Sequence, residues 1–105
     1  MSNKLYSYGN RDFPICERSR VVCAANRRKD GLIICGARHW DSVMRGQKNA
    51  IGGAPEDWYD IEDGFIDQFN NFLTREEAWV IALKQRQIIR DEDKTPGTLY
   101  SENLY

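Results

Sequence analysis

Arg20-Val21-Val22-Cys23-Ala24-Ala25, then Asp30-Gly31, then Leu32-Ile33-Ile34-Cys35 is the stretch that decides the fold. Two β-rich apolar runs flank a dipeptide that accepts the positive φ of a tight primed turn, which predicts a β-hairpin. Both runs are nearly continuous in apolar residues, so both faces of the strands are expected to be buried, by helices or by another subunit. Beyond the hairpin, Asp41 or Ser42 can cap a short helix reaching about Gln47, and Gly46, Gly52, Gly53 and Pro55 mark a loop. Phe65-Ile66-Asp67 and Phe72-Leu73 predict a second hairpin that turns at Asn70-Asn71, residues that tolerate the left-handed conformation.

Thr74-Arg75-Glu76-Glu77 has the spacing of a capping box and starts a helix at Arg75. Trp79, Ala82, Leu83 and Arg86, with Ala78, Ile81, Gln85 and Ile88, recur three and four apart and carry an apolar face to Ile89. Asp91 to Gly97 reads as a polar loop. The tail from Leu99 to Tyr105 is apolar enough to dock on its own core or on a neighbour. The expected architecture is α+β, a small antiparallel sheet packed by C-terminal helices. Residues 1–105 form one ligand-binding domain in which 1–18 are an N-terminal extension.

Composition narrows the function classes. At 105 residues, 41% hydrophobic and 30% charged, the chain holds one core, and self-association would help so small a fold. No apolar run is long enough for a membrane helix, and Met1 to Asp12 lacks the apolar stretch of a signal peptide. Cys16, Cys23 and Cys35 make an odd set without a C-x-x-C pair, read as reduced thiols that pack as small hydrophobes. With His39 the single histidine, neither a metal nor a cofactor is expected. Residues 1–50 hold ten Lys or Arg against four Asp or Glu, a balance of +6, and the remainder five against twelve, a balance of −7. That split can attract an anion or pair between subunits. A net charge of −1 disfavours nucleic-acid polymers as partners.

The familiar catalytic constellations are missing, so the chain reads as a binder and not an enzyme. Arg75-Glu76-Glu77-Ala78 faintly resembles the core of a Nudix box, whose carboxylates hold magnesium at a pyrophosphate. Val80, Ile81 and Ala82 occupy the place of the carboxylates needed one turn on. A divergent pyrophosphohydrolase using Glu76 and Glu77 is the enzymatic alternative, and capping with solvated carboxylates explains the same residues. Arg38-His39-Trp40-Asp41 concentrates a fork-shaped cation, an imidazole, an indole and a carboxylate at a strand exit, a set suited to a nucleotide. The alternative is that Trp40 packs in the core, His39 is surface and Arg38 pairs with Asp41. Phe65, Asn71, Gln87 and Arg90 can add ring, amide and guanidinium contacts, although Phe65 also fits a core and Arg90 a helix C-terminus. Arg27, Arg28 and Lys29 crown the first hairpin, as a second anion site or as a solvated turn.

Taken in order, Arg20-Val21-Val22-Cys23-Ala24-Ala25, Asp30-Gly31, Gly36-Ala37-Arg38-His39-Trp40-Asp41, Gly64-Phe65-Ile66-Asp67-Gln68-Phe69, Phe72-Leu73-Thr74-Arg75-Glu76-Glu77-Ala78 and Leu99-Tyr100-Ser101-Glu102 resemble a family of small phage proteins, identified as the first Thoeris anti-defence family. The resemblance covers roughly residues 19–105. It implies a homo-oligomer, a hexamer, that captures cyclic ADP-ribose isomers uncleaved in the cytoplasm of the infected bacterial host. Some members also bind cyclic trinucleotides at separate sites, which would disarm CBASS as well as Thoeris signalling. Carried over by position, Arg38, Phe65, Asn71 and Arg90 are the implied ligand contacts. A third reading, a protein-interaction inhibitor of a host factor working through the acidic half, stays open at this point.

Overall fold

The computed structural model describes residues 17–90 and 97–105. The expectations for residues 1–16, Cys16 included, and for the loop at 91–96 lie outside the described residues. Strands β1 (Val21–Arg27), β2 (Ile33–Gly36), β3 (Glu62–Asp67) and β4 (Phe72–Thr74) form a four-stranded sheet in the order β2-β1-β3-β4, antiparallel throughout. Helix α1 (Ser42–Ile51) lies between β2 and β3 in the chain, and α2 (Arg75–Lys84) follows β4 directly. The α+β expectation holds: α2 is C-terminal to the sheet, α1 precedes β3, and the tail docks through a 3₁₀ turn at Ser101–Asn103.

Both expected hairpins form, but neither uses a primed turn. In the first, the Gly31 N–H donates to Arg28 O at 2.9 Å and the Arg28 N–H to Leu32 O at 2.8 Å, with Gly31 at φ 96°. The second repeats the pattern: the Asn70 N–H donates to Asp67 O at 3.0 Å and the Asp67 N–H to Asn71 O at 3.1 Å, with Asn70 at φ 66°. Each turn therefore places a single left-handed residue in its last position, the bulged alternative to a two-residue loop. Asp67 reinforces the second turn, its buried carboxylate accepting from the Phe69 and Asn71 N–H groups at 2.9 Å and from Asn71 Nδ2 at 3.0 Å.

One face of the sheet carries Val21, Ala24, Ile34, Phe65 and Leu73 into a core with Met44 of α1, with Ala78, Ile81 and Ala82 of α2, and with Leu99 and Leu104 of the tail. The central strand is buried on both faces only across Ala24, Ala25 and Asn26, and Val22 stands out at 49% exposure. Helix α1 guards the β2 edge. Gln47 pairs with Cys35 as another strand would, its Oε1 accepting from the Cys35 N–H at 2.8 Å and its Nε2 donating to Cys35 O at 2.7 Å.

Helix α2 begins where the capping box predicts, with Glu77 N–H on Thr74 Oγ1 and Thr74 N–H on Glu77 Oε1. It ends five residues before the expected Ile89. Arg86 adopts φ 58°, its N–H donates to Leu83 O at 3.2 Å, and the Gln87 N–H donates to Ala82 O at 2.8 Å. This pair of bonds is a Schellman stop, which normally takes glycine at the left-handed position. A non-glycine residue there works against a cost of roughly 1 kcal/mol. Arg86→Gly should therefore raise stability by about 1 kcal/mol in chemical denaturation, with the denaturant slope unchanged.

Candidate functional site

Antiparallel order gathers the start of β1, the end of β2, the end of β3 and the start of β4 at one end of the sheet. Four of the residues singled out in the sequence gather there. Arg38 leaves β2, Asn71 precedes β4, Gln87 is bonded to Val21, and Arg90 joins through the C-terminal turn. That turn is the organiser. Asn103 O accepts from the Ile89 N–H at 2.8 Å and the Arg90 N–H at 3.2 Å, and Asn103 Nδ2 donates to Arg90 O at 2.6 Å. On its other side, Arg38 donates to Tyr105 O, lies 5.4 Å from the Tyr105 ring centre and approaches Glu102 at 3.7 Å. Arg38 and Arg90 thus attach to positions 102, 103 and 105 of one short segment.

The other singled-out residues have separate tasks. Asp41 caps α1, accepting from the Met44 N–H at 2.9 Å and the Arg38 N–H at 3.1 Å. These amides hold its carboxyl below the usual range. A Cβ on Gly36 would lie 2.4 Å from Asp41 Oδ1, so only glycine leaves room for the capping carboxylate. Arg38 therefore meets Asp41 through its backbone, not through an ion pair. Trp40, between them, takes φ 58°, a sparsely populated conformation for a bulky side chain. Phe65 is fully buried at the centre of the core. Asn71 is buried within its own turn, and the Gln87 amide is engaged with both backbone groups of Val21, at 2.9 Å and 2.8 Å. Arg90 is exposed.

His39 turns inward. Its Nε2 lies 2.7 Å from Gly64 O and its ring stands edge-on to Phe65 at 5.1 Å. A carbonyl only accepts, so Nε2 carries the proton and Nδ1 faces Arg75 Nη2 at 3.4 Å as the acceptor. Burial, with the nearby Arg75 cation, pushes the His39 pKa down against the Gly64 hydrogen bond and keeps the ring neutral. The sequence offered no sign of Arg75 as the hub of this group. It donates to Leu99 O at 2.9 Å, lies 4.8 Å from the Tyr100 ring centre and approaches Asp63 at 3.7 Å. At the first position of a capped helix it reads as ordinary helix composition, and only the tertiary fold brings these partners to it.

Arg27 and Arg28 lie at the opposite end of the sheet, far from Arg38 in the topology. Arg27 holds Glu62 with two nitrogens, at 3.0 Å and 2.7 Å, and covers the Phe72 ring. Arg28 pairs with Asp30 and lies 4.8 Å from the Trp58 ring centre. Trp58 also lines a pocket of about 280 Å³ with Lys48, Asn49, Gly52, Gly53 and Pro55. Among the described residues there is no group of three or more His, Cys, Asp or Glu placed to hold a metal.

Comparison with known proteins adds one finding. A family model described as Phage T4 y16D protein matches residues 20–105, which is most of the chain. No curated protein and no solved structure matches it.

The neutral His39 has a consequence for stability. Below the ordinary histidine pKa of about 6.5, the unfolded chain takes up a proton that the folded chain resists. Its contribution is therefore fully present above that pH and is lost as the pH falls toward the lower folded value. His39→Gln should flatten this part of the stability profile, measured by denaturant unfolding between pH 7 and pH 5. An identical slope in both proteins would contradict the assignment.

Proposed function

The chain belongs to the phage T4 y16D protein family, and from the resemblance carried by its sequence segments together with the site geometry we propose that it is a phage-encoded binder that sequesters a cyclic nucleotide signal, a cyclic ADP-ribose isomer, without cleaving it. The observation that carries this reading is the attachment of Arg38 and Arg90 to one C-terminal turn at the end of the sheet. A cyclic ADP-ribose isomer presents a pyrophosphate, and guanidinium groups meet phosphate oxygens in two-point geometry. Arg90 is exposed, and the Arg38 side chain retains 40% of its accessibility despite its contacts with Glu102 and Tyr105, so both can turn to a ligand. The hydrolase alternative must manage with one exposed carboxylate, Glu76, because Glu77 is bonded into the helix cap.

The same reading has identical subunits assembling, toward a hexamer, in the cytoplasm of the infected host. Supporting assembly, α2 leaves Val80 at 52% and Leu83 at 59% exposure, one turn apart on its outer side. No helix among the described residues is long and apolar enough to cross a membrane.

The test incubates the protein with a cyclic ADP-ribose isomer, confirms the protein's assembly by light scattering, denatures the complex by heat and chromatographs the released material. Unchanged ligand in near-stoichiometric amount is the expected result, whereas linear ADP-ribose accumulating over many turnovers would establish hydrolysis. Arg38→Ala and Arg90→Ala should each weaken binding by about 1.5 to 3 kcal/mol, the range of hydrogen bonds to charged groups. Glu76→Gln should leave binding unchanged.

A further inference from the structure

The two described cysteines are neighbours in space, which their spacing in the sequence does not suggest. Ala25 pairs with Cys35 across β1 and β2, and Cys23 lies two residues before Ala25, so both thiols emerge on the same face, diagonally across the strand pair. That face is the one opposite the core, since Ala24 and Gly36 point the other way. Both backbone polar groups of Cys35 are bonded to Gln47, outside the sheet. Ala25 and Cys35 are thereby a non-hydrogen-bonded pair, and Cys23 is the diagonal neighbour of Cys35, a spacing of roughly 7–8 Å that the two side chains span by reaching toward each other. Both cysteines are partly exposed, neither is in a disulfide, and their thiols share a hydrogen bond.

We propose that Cys23 and Cys35 form a reversible dithiol–disulfide site that reacts with a low-molecular-weight disulfide of the oxidised-glutathione class. The Cys23 thiolate attacks one sulfur of the small disulfide, forming a mixed disulfide and releasing one small thiolate, which takes up the Cys23 proton. Cys35 then loses its proton to solvent and attacks the Cys23 sulfur. This breaks the mixed bond, forms the Cys23–Cys35 disulfide and releases the second small thiol. In balance, two protein thiols are oxidised and one small disulfide is reduced to two thiols. Cys23 suits the attacking role, because the Cys35 hydrogen bond brings its pKa down to about 7, while the loss of the second proton is made harder. The bridge fastens the end of β2, from which the Arg38 loop departs, to the start of β1.

The test uses the full chain with Cys16→Ser, equilibrated in oxidised glutathione, and then treated with an alkylating agent, digested and mapped by mass spectrometry. The expected product has lost two hydrogens, carries a Cys23–Cys35 linked peptide and returns to two free thiols with dithiothreitol. Adding Cys35→Ser should trap glutathione on Cys23, whereas adding Cys23→Ser should leave Cys35 largely unmodified over the same time. Two thiols that remain fully alkylatable, or stable glutathione adducts in place of the intramolecular bridge, would overturn the proposal. So would glutathione trapped equally well by either single cysteine.

Discussion

The two-point grip of Arg75 on Leu99 is the interaction on which the rest of the structure depends. The Leu99 N–H donates to Arg75 O at 3.0 Å, and the Arg75 guanidinium donates back to Leu99 O at 2.9 Å while covering the Tyr100 ring. This bond pair starts the tail on its path over the core, where Leu99 is fully buried and Leu104 nearly so. Only with the tail seated can Asn103 collect the backbone of Ile89 and Arg90 and can Arg38 reach Tyr105 and Glu102. Removing the guanidinium would strip a partner from the buried Leu99 carbonyl. Such a loss costs roughly 1 to 3 kcal/mol, a sizeable part of a small domain's stability.

Local signals were legible where local chemistry decides the outcome. Asp30-Gly31 and Asn70-Asn71 mark their turns because glycine and asparagine tolerate the left-handed conformation, although the turn type depends on hydrogen bonds that the dipeptides do not reveal. Thr74 and Glu77 announce the start of α2 because both halves of the capping box lie within four residues. Its end was hidden. Arg86 occupies a position that glycine usually signals, so the apolar periodicity continues to Ile89 while the backbone has already turned away.

Sequence reading singled out side chains that the fold brings to one end of the sheet, without revealing the bonds that occupy them. Arg38, Asn71, Gln87 and Arg90 do gather at one end of the sheet, but the amides of Asn71 and Gln87 serve the fold. Gln47, Gln68 and Gln87 each hold main-chain N–H and C=O groups at once, at Cys35, at Arg20 and Arg18, and at Val21. A glutamine side chain can stand in for a missing strand in this way, satisfying backbone groups that the sheet leaves unpaired. Nothing in the local sequence separates that use from recognition of a ligand. Part of the charge split between the halves is likewise met inside one chain, where Arg27 pairs with Glu62, Lys29 with Asp60 and Arg38 with Glu102. Exposed pairs of this kind contribute little individually, and they leave the apolar side chains of α2 as the stronger support for assembly.

If the tail organises the binding end, loosening it must cost affinity even where no ligand contact is removed. Equilibrium dialysis of a cyclic ADP-ribose isomer against wild-type protein and Arg75→Met tests this directly, because methionine keeps much of the apolar stem and removes the charged fork. The account predicts saturable binding by the wild type and an affinity at least about tenfold weaker in the variant, equivalent to roughly 1.4 kcal/mol. Equal affinity in the two proteins, or no binding by the wild type, would contradict it.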